Sequence, residues 1–220
     1  MLHIYGLPLS SPANKVCYAA NYLQIPYELH EVNLRAGEHR TPAYLKINPY
    51  GKIPAIDDDG FKLGESNAII RYLADKQKSM LYPQDIQQRA IVDQWLDFSA
   101  QHVSAATARI MFNTYFYKLK GTSKDERSLE EGRQFINQYL PILEQQLMTN
   151  TYITGKTLTL ADISLLSALD VCELAEVDLS AYKHITAWRK NLMSQSFYKD
   201  CHESYTASFN KIVGNITVVA

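Results

Sequence analysis

The sequence predicts a two-part fold, a small mixed α/β domain followed by an all-helical domain. Three observations carry this prediction. Over about the first 80 residues, apolar segments of strand length alternate with segments of helical period. The break Leu81-Tyr82-Pro83-Gln84-Asp85 then interrupts the pattern. Beyond it the periodic segments are helical, with no convincing strand. The α/β domain is therefore placed at 1–78, a linker at 79–88 and the helical domain at 89–220.

Each element has its own reason. Leu2–Tyr5 is a short strand that leads into a turn through Pro8 and Pro12. Lys15–Leu23 reads as a helix with Val16, Ala19, Ala20 and Leu23 on one face. Tyr27–Asn33 alternates as a strand does, Leu29 against His30 and Val32 against Glu31. A polar stretch, Gly37-Glu38-His39-Arg40, precedes a short helix near Pro42–Leu45. Ala55–Asp57 and Phe61–Leu63 flank Asp58-Asp59-Gly60, and Asp-Gly between apolar runs signals a hairpin. Ala68, Ile69, Tyr72 and Leu73 recur at helical spacing after Glu65. The order β-α-β-α-β-β-α is thioredoxin-like. In the second half, one long helix is expected over Ile86–Lys118, ending before Gly121. A second spans Glu126–Met148 and bends at Pro141, where a backbone hydrogen bond is lost. Thr159-Leu160-Ala161-Asp162 is a capping box, with Leu158 and Ile163 as its hydrophobic staple. Helices near Ile185–Met193 and after Gln195 complete the bundle.

Composition excludes several functions. A content of 46% hydrophobic and 20% charged residues is that of an ordinary soluble globular protein. The net charge of −1 and the lack of a Lys/Arg cluster argue against a nucleic-acid partner. Met1-Leu2-His3-Ile4-Tyr5-Gly6 has neither region of a signal peptide, and no apolar stretch approaches membrane-span length. The three cysteines, Cys17, Cys172 and Cys201, form neither a metal pattern nor a Cys-x-x-Cys motif. The cytoplasm is the expected compartment, and no metal ligands are assigned.

The chemistry concentrates at helix entrances. Glu65 and Ser66 open a helix, where free N–H groups and the dipole favour an anion. The Ser66 hydroxyl adds a donor for a carboxylate, and the Glu65 carboxylate can hold an ammonium. The pair therefore suits both ends of an α-amino acid. A cis Ile53–Pro54 bond ahead of the strand would turn the Ile53 backbone outward to pair with an extended peptide. The alternative is an N-capped amphipathic helix after a hairpin. Leu9-Ser10-Ser11-Pro12 follows the first strand, where a hydroxyl at a helix entrance can donate to an anion. A free thiol has a pKa near 8.5, so such a donor would favour the thiolate of a bound ligand. The same residues also serve turns and caps for purely local reasons.

Taken in order, Ser10, Gly51-Lys52-Ile53-Pro54, Glu65-Ser66-Asn67-Ala68-Ile69 and Thr159-Leu160-Ala161-Asp162 resemble glutathione transferases over nearly the whole chain. Gly37-Glu38-His39, Asn48-Pro49-Tyr50-Gly51, Arg71-Tyr72-Leu73 and Leu81-Tyr82-Pro83 agree. The pattern is most similar to serine-type bacterial enzymes near the theta, phi and delta classes. The resemblance implies a cytoplasmic homodimer active in detoxification, with glutathione as co-substrate and no further cofactor. It makes Ser10 the activating serine, with Ser11 as second choice. It gives Glu65 and Ser66 to the γ-glutamyl end, Ile53 before Pro54 to the cysteinyl backbone, and Lys52 and His39 to the glycine carboxylate. Asn14 and Asn67 stand where related sequences carry arginine. Cys17 lies beyond the position of a thiol-type nucleophile and reads as a buried apolar residue.

The second substrate, an apolar electrophile, is expected where the helical domain faces Ser10. Leu7, Leu9, Arg109, Phe112 and Tyr115 are its candidate lining, and none of the 15 tyrosines stands out as catalytic. The expected activity is attack of the glutathione thiolate on that electrophile. Glutathione-dependent peroxide or disulfide reduction, or a non-catalytic binding or scaffold role, are the alternatives.

Overall fold

The computed structural model describes residues 1–8, 10–117, 121–172, 174–175 and 177–201. The chain divides into two compact units. One comprises Met1–Pro83 with the described residues from Ser194 onward, and the other is Gln84–Met193.

In the first unit, β1 (Leu2–Gly6), β2 (Tyr27–Glu31), β3 (Ala55–Asp58) and β4 (Phe61–Gly64) form one sheet in the order β2-β1-β3-β4. β1 and β2 are parallel, and the β1–β3 and β3–β4 pairs are antiparallel. With α1 (Ser11–Tyr22), α2 (Pro42–Leu45) and α3 (Ser66–Lys76), this is the expected thioredoxin-like order. Asp59 and Gly60 close the β3–β4 hairpin with φ of 50° and 93°, the two positive angles that a type I′ turn demands. Leu2, Ile4, Val16, Ile56, Ile69, Ile70 and Leu73 fill the core. β2 is shorter than expected and lies at the sheet edge, which leaves Leu29 at 36% exposure.

Residues Ser194–Cys201 were expected in the helical domain, yet they belong to the first unit. The reason is aromatic packing on α1. Phe197 and Tyr198 of α9 (Ser196–Lys199) lie with ring centroids 6.1 and 5.1 Å from that of Tyr18, and Asn21 Nδ2 donates to the Phe197 carbonyl at 3.1 Å.

The second unit is helical in its described residues. The expected long helix keeps helical dihedrals through α4 (Ile86–Phe98) and α5 (Ser104–Met111), but two π-type stretches, Ser99–Val103 and Phe112–Phe116, interrupt the α pattern. Side chains compete for the backbone acceptors along this path. Thr107 Oγ1 donates to Val103 O, Asn113 Nδ2 to Arg109 O and Thr114 Oγ1 to Ile110 O. The next helix, α6 (Glu126–Thr149), runs through Pro141. Every residue of α7 (Leu160–Asp170) is buried, as the central helix of a bundle must be. The expected capping box forms at its start, where the Thr159 N–H donates to Asp162 Oδ2 at 2.9 Å. Leu158 and Ile163 are both buried there. Asp162 Oδ1 also accepts from Ile153 N–H at 2.8 Å and from Trp188 Nε1 of α8 (Lys183–Met193) at 2.9 Å. Burial pushes its carboxyl up to about 6, against the pull of these donors.

Candidate active site

α1 starts at Ser11, earlier than its apolar period suggests, because Ser10 and Pro12 supply a helix entrance that hydrophobicity does not encode. Ser10 is the N-cap, extended at φ −83° and ψ 107°. Its carbonyl accepts from Ala13 and Asn14 N–H at 2.8 Å each, and its own N–H donates to Leu7 O at 2.9 Å. Pro12 needs no donor in the first turn. Gly6 permits this placement, since a Cβ there would meet that of Ala13 at 2.8 Å. The Ser10 hydroxyl oxygen accepts no capping bond from the helix N–H groups, and the side chain stands half-buried at the positive end of α1. Ser11 is half-buried beside it. Asn14 is buried, and its Nδ2 has no hydrogen-bond partner among the described residues.

Glu65 is the N-cap of α3 and Ser66 its first residue. Glu65 holds φ 63° and ψ 108°, a left-handed-side conformation that a glutamate adopts only at a cost. Strain of this kind concentrates where a side chain must be aimed, here at the head of a helix. Lys15 lies about one turn into α1 and is only 4% exposed. Its Nζ donates to Asn67 Oδ1 at 2.8 Å and to Ser66 Oγ at 3.3 Å, tying the helix that Ser10 caps to the helix that Glu65 caps. Burial, then the Arg71 charge, lower its pKa to about 8, while Glu65 pulls the other way. Sequence reasoning missed this residue. The available signal was a lysine between Asn14 and the apolar Val16 near the start of a helix, with a polar Asn67 directly after Ser66.

The segment before β3 is fixed by its own carbonyl. Tyr44 Oη and Asn48 Nδ2 both donate to Lys52 O, at 2.8 and 2.7 Å. The Ile53–Pro54 bond is cis, and Ile53 makes no backbone hydrogen bond among the described residues. Gly51, at φ 58°, lets the turn Glu38–Arg40 approach, because a Cβ there would lie 2.9 Å from His39 O. His39 is thus held beside the Gly51–Lys52 segment, and its buried Nδ1 has no partner among the described residues. Lys52 is exposed. Ser10 with Asn14, Glu65 with Ser66, and His39 with Lys52 and Ile53 therefore form three groups within the first unit. Lys15 joins the first two.

The residues expected to line a second-substrate pocket have these settings. Leu7 is half-buried next to Ser10, and Leu9 lies outside the described residues. In the helical unit, Phe112 and Tyr115 are half-buried in the second π-type stretch. Arg109 pairs with Glu131 at 3.1 Å and lies 6.0 Å from the centre of the Phe135 ring. Close packing of α5 on α6 permits this, since a Cβ on Gly132 would sit 3.0 Å from Ala106 O and Arg109 Cβ.

Both halves of the chain have counterparts in known proteins. Residues 4–80 match the family described as glutathione S-transferase, N-terminal domain, and residues 102–196 match glutathione S-transferase, C-terminal domain. The chain is 32% identical over 212 residues to glutathione S-transferase F10 of Arabidopsis thaliana, an alignment covering 94% of this chain and 98% of that protein. Among solved structures, glutathione transferase F7 of Populus trichocarpa superposes with a TM-score of 0.84 at 29% identity, covering 92% of this chain and 98% of that one. Glutathione S-transferase I from maize, solved with an atrazine glutathione conjugate, does so with a TM-score of 0.83 at 28% identity, covering 91% and 95%. Matched in both halves and along almost its full length, the chain belongs to the glutathione S-transferase family and is an enzyme of that family.

Proposed function

We propose that Ser10 activates glutathione by donating a hydrogen bond to its cysteinyl sulfur, and that the resulting thiolate attacks an apolar electrophile. The observation that carries this reading is the Ser10 hydroxyl itself, free of capping duty at the N-terminus of α1. Stabilising the anion lowers the thiol pKa toward neutrality, so more of the bound ligand is nucleophilic at physiological pH. The unpartnered Asn14 amide in the same first turn supports an anion-stabilising site. Glu65 takes the γ-glutamyl ammonium, while Ser66 and the N–H groups of α3 take the carboxylate beside it. Ile53 pairs through its backbone with the cysteinyl residue, ahead of Pro54. His39 and Lys52 face the glycine carboxylate, and Ser11 lies close enough in sequence to contribute a second hydroxyl. Leu7 supplies apolar surface next to the sulfur. The electrophile is then converted by proximity to an activated nucleophile, with no covalent role for serine.

The family membership supports a cytoplasmic, homodimeric detoxifying enzyme with glutathione as its co-substrate. No helix among the described residues is long and apolar enough to cross a membrane. The test is retention on immobilised glutathione followed by turnover of aryl halides. Conjugation is expected. Retention without any turnover would replace catalysis by binding, and turnover of hydroperoxides alone would replace transfer by reduction.

A further inference from the structure

One side-chain cluster lies outside the glutathione site and is used by none of its chemistry. β1 and β2 pair in parallel with His3 opposite Glu28 and Tyr5 opposite His30. Alternation sends Leu2, Ile4 and Gly6 into the core and turns His3 and Tyr5 to the other face of the sheet. Glu28 and His30, two residues apart, share a face of β2 by the same rule. His3 Nδ1 is 2.9 Å from His30 Nε2, and Glu28 Oε2 lies 3.4 Å from the first and 3.6 Å from the second. Among the described residues, these three donor atoms form a compact triangle within 4.8 Å.

The size of that triangle is diagnostic. An ion bound tetrahedrally at about 2.0–2.1 Å from each ligand requires ligand atoms about 3.3–3.4 Å apart. The three observed edges bracket this spacing, so an ion fits just off the plane of the triangle with small side-chain adjustments. The donor set is equally specific. Two imidazoles and one carboxylate suit zinc and its first-row neighbours, whereas magnesium and calcium demand oxygen ligands throughout. Tyr5 stacks on His30 at 4.9 Å between ring centroids and 18° between planes, which holds one ligand ring in place. The His3 and His30 side chains are 33% and 35% exposed and that of Glu28 is 61% exposed, so solvent can reach the site.

We infer that His3, Glu28 and His30 form a three-ligand site for a first-row transition ion, with zinc as the best-fitting occupant and solvent as the fourth ligand. Each imidazole binds in its neutral form and carries its proton on the other ring nitrogen. The hydrogen bond that His3 and His30 share is replaced by their common bond to the ion. Because β2 is the edge strand, the ion cross-links the sheet edge to β1. The sequence shows no motif for this site, since the spacing 3, 28 and 30 means nothing until the two strands pair.

The test uses full-length, tag-free protein freed of metal and studied without glutathione, which itself binds zinc. Zinc is titrated in competition with a chromophoric chelator, and thermal unfolding is followed with and without it. One ion per chain and a rise in melting temperature with zinc are expected. His3→Gln and His30→Gln should each weaken zinc binding by at least about 10- to 100-fold, the loss that follows even from disturbing an outer partner of a ligating histidine. Glu28→Gln, at a more exposed position, should weaken it as well and serves if either histidine variant fails to fold. His184→Gln, on an exposed histidine of the helical unit, should change nothing. Absence of saturable zinc binding, or binding that survives the His3, His30 and Glu28 substitutions unchanged, overturns the inference.

Discussion

Lys15→Met separates the binding role of the buried lysine from its role in stability. The ammonium is almost fully buried, and the fall of its pKa from 10.5 to about 8 corresponds to roughly 3 kcal/mol of disfavoured charge. Its hydrogen bonds offset this. The 2.8 Å bond to Asn67 and the longer 3.3 Å bond to Ser66 each come from a charged donor, worth on the order of 1.5–3 kcal/mol. Methionine fills the same channel with an unbranched apolar chain, so loss of the bonds and relief of the buried charge nearly cancel. The net change in unfolding free energy should therefore lie within about 2 kcal/mol. Glutathione affinity should behave differently. A carboxylate bound at Ser66 sits one hydrogen bond beyond the ammonium, about 6 Å away, where the attraction at an effective dielectric of about 20 is on the order of 2–3 kcal/mol. The variant should bind glutathione about 30-fold or more weakly by calorimetry while its urea midpoint moves little. Unchanged affinity in a folded variant would refute the assignment of the carboxylate to Ser66. A collapse of stability would show that the lysine is a packing element alone.

Further outcomes follow from the same residues. Because the folded state releases the Lys15 proton near pH 8 and the unfolded chain near 10.5, wild-type stability should gain with rising pH across that window relative to Lys15→Met; parallel curves from pH-dependent urea unfolding would contradict the burial argument. Glu65→Ala should weaken glutathione binding by roughly 1.5–3 kcal/mol in calorimetry. Glu65→Gly should bind as poorly yet unfold later, by on the order of 1 kcal/mol, because glycine accepts φ 63° without strain; a destabilised glycine variant would count against strain at that position. Asp162→Ala removes acceptors for Ile153, Thr159 and Trp188 together, and should cost about 3 kcal/mol or more with a change in tryptophan fluorescence. Light scattering across a concentration series should report a dimer, and monomer mass throughout would exclude one.

Much of the fold was legible because it rests on local signals. The Asp59-Gly60 turn, the Thr159–Asp162 box and the helical period after Glu65 each announce an element within a few residues. What escaped the sequence depends on long-range packing. The start of α1 hinges on Gly6 admitting Ala13, which no periodicity records. The return of Phe197 and Tyr198 to Tyr18 crosses the whole chain. The two π-type stretches leave the helical dihedrals in place, so the long apolar period through them looks unbroken. In the candidate site, Ser10, Glu65 and Ser66 were visible as residues suited to helix ends. Lys15 was hidden because surface lysine is the ordinary expectation, and only the approach of α1 to α3 reveals its partners.

The role of Ser10 is the centre of this account, and the pKa of the glutathione thiol in the complex reads it directly. Thiolate absorbance of the bound ligand, titrated in wild type and in Ser10→Ala, isolates the hydroxyl's effect on the sulfur from any effect on binding. The thiol pKa should rise in the variant and turnover should fall by roughly 10²–10³, the usual consequence of losing one anion-stabilising donor. Glutathione affinity should stay within a few-fold, since Glu65 and Ser66 are untouched. An unshifted thiol pKa in an active Ser10→Ala enzyme would contradict the account and transfer the role to Ser11, Asn14 or the helix-end N–H groups.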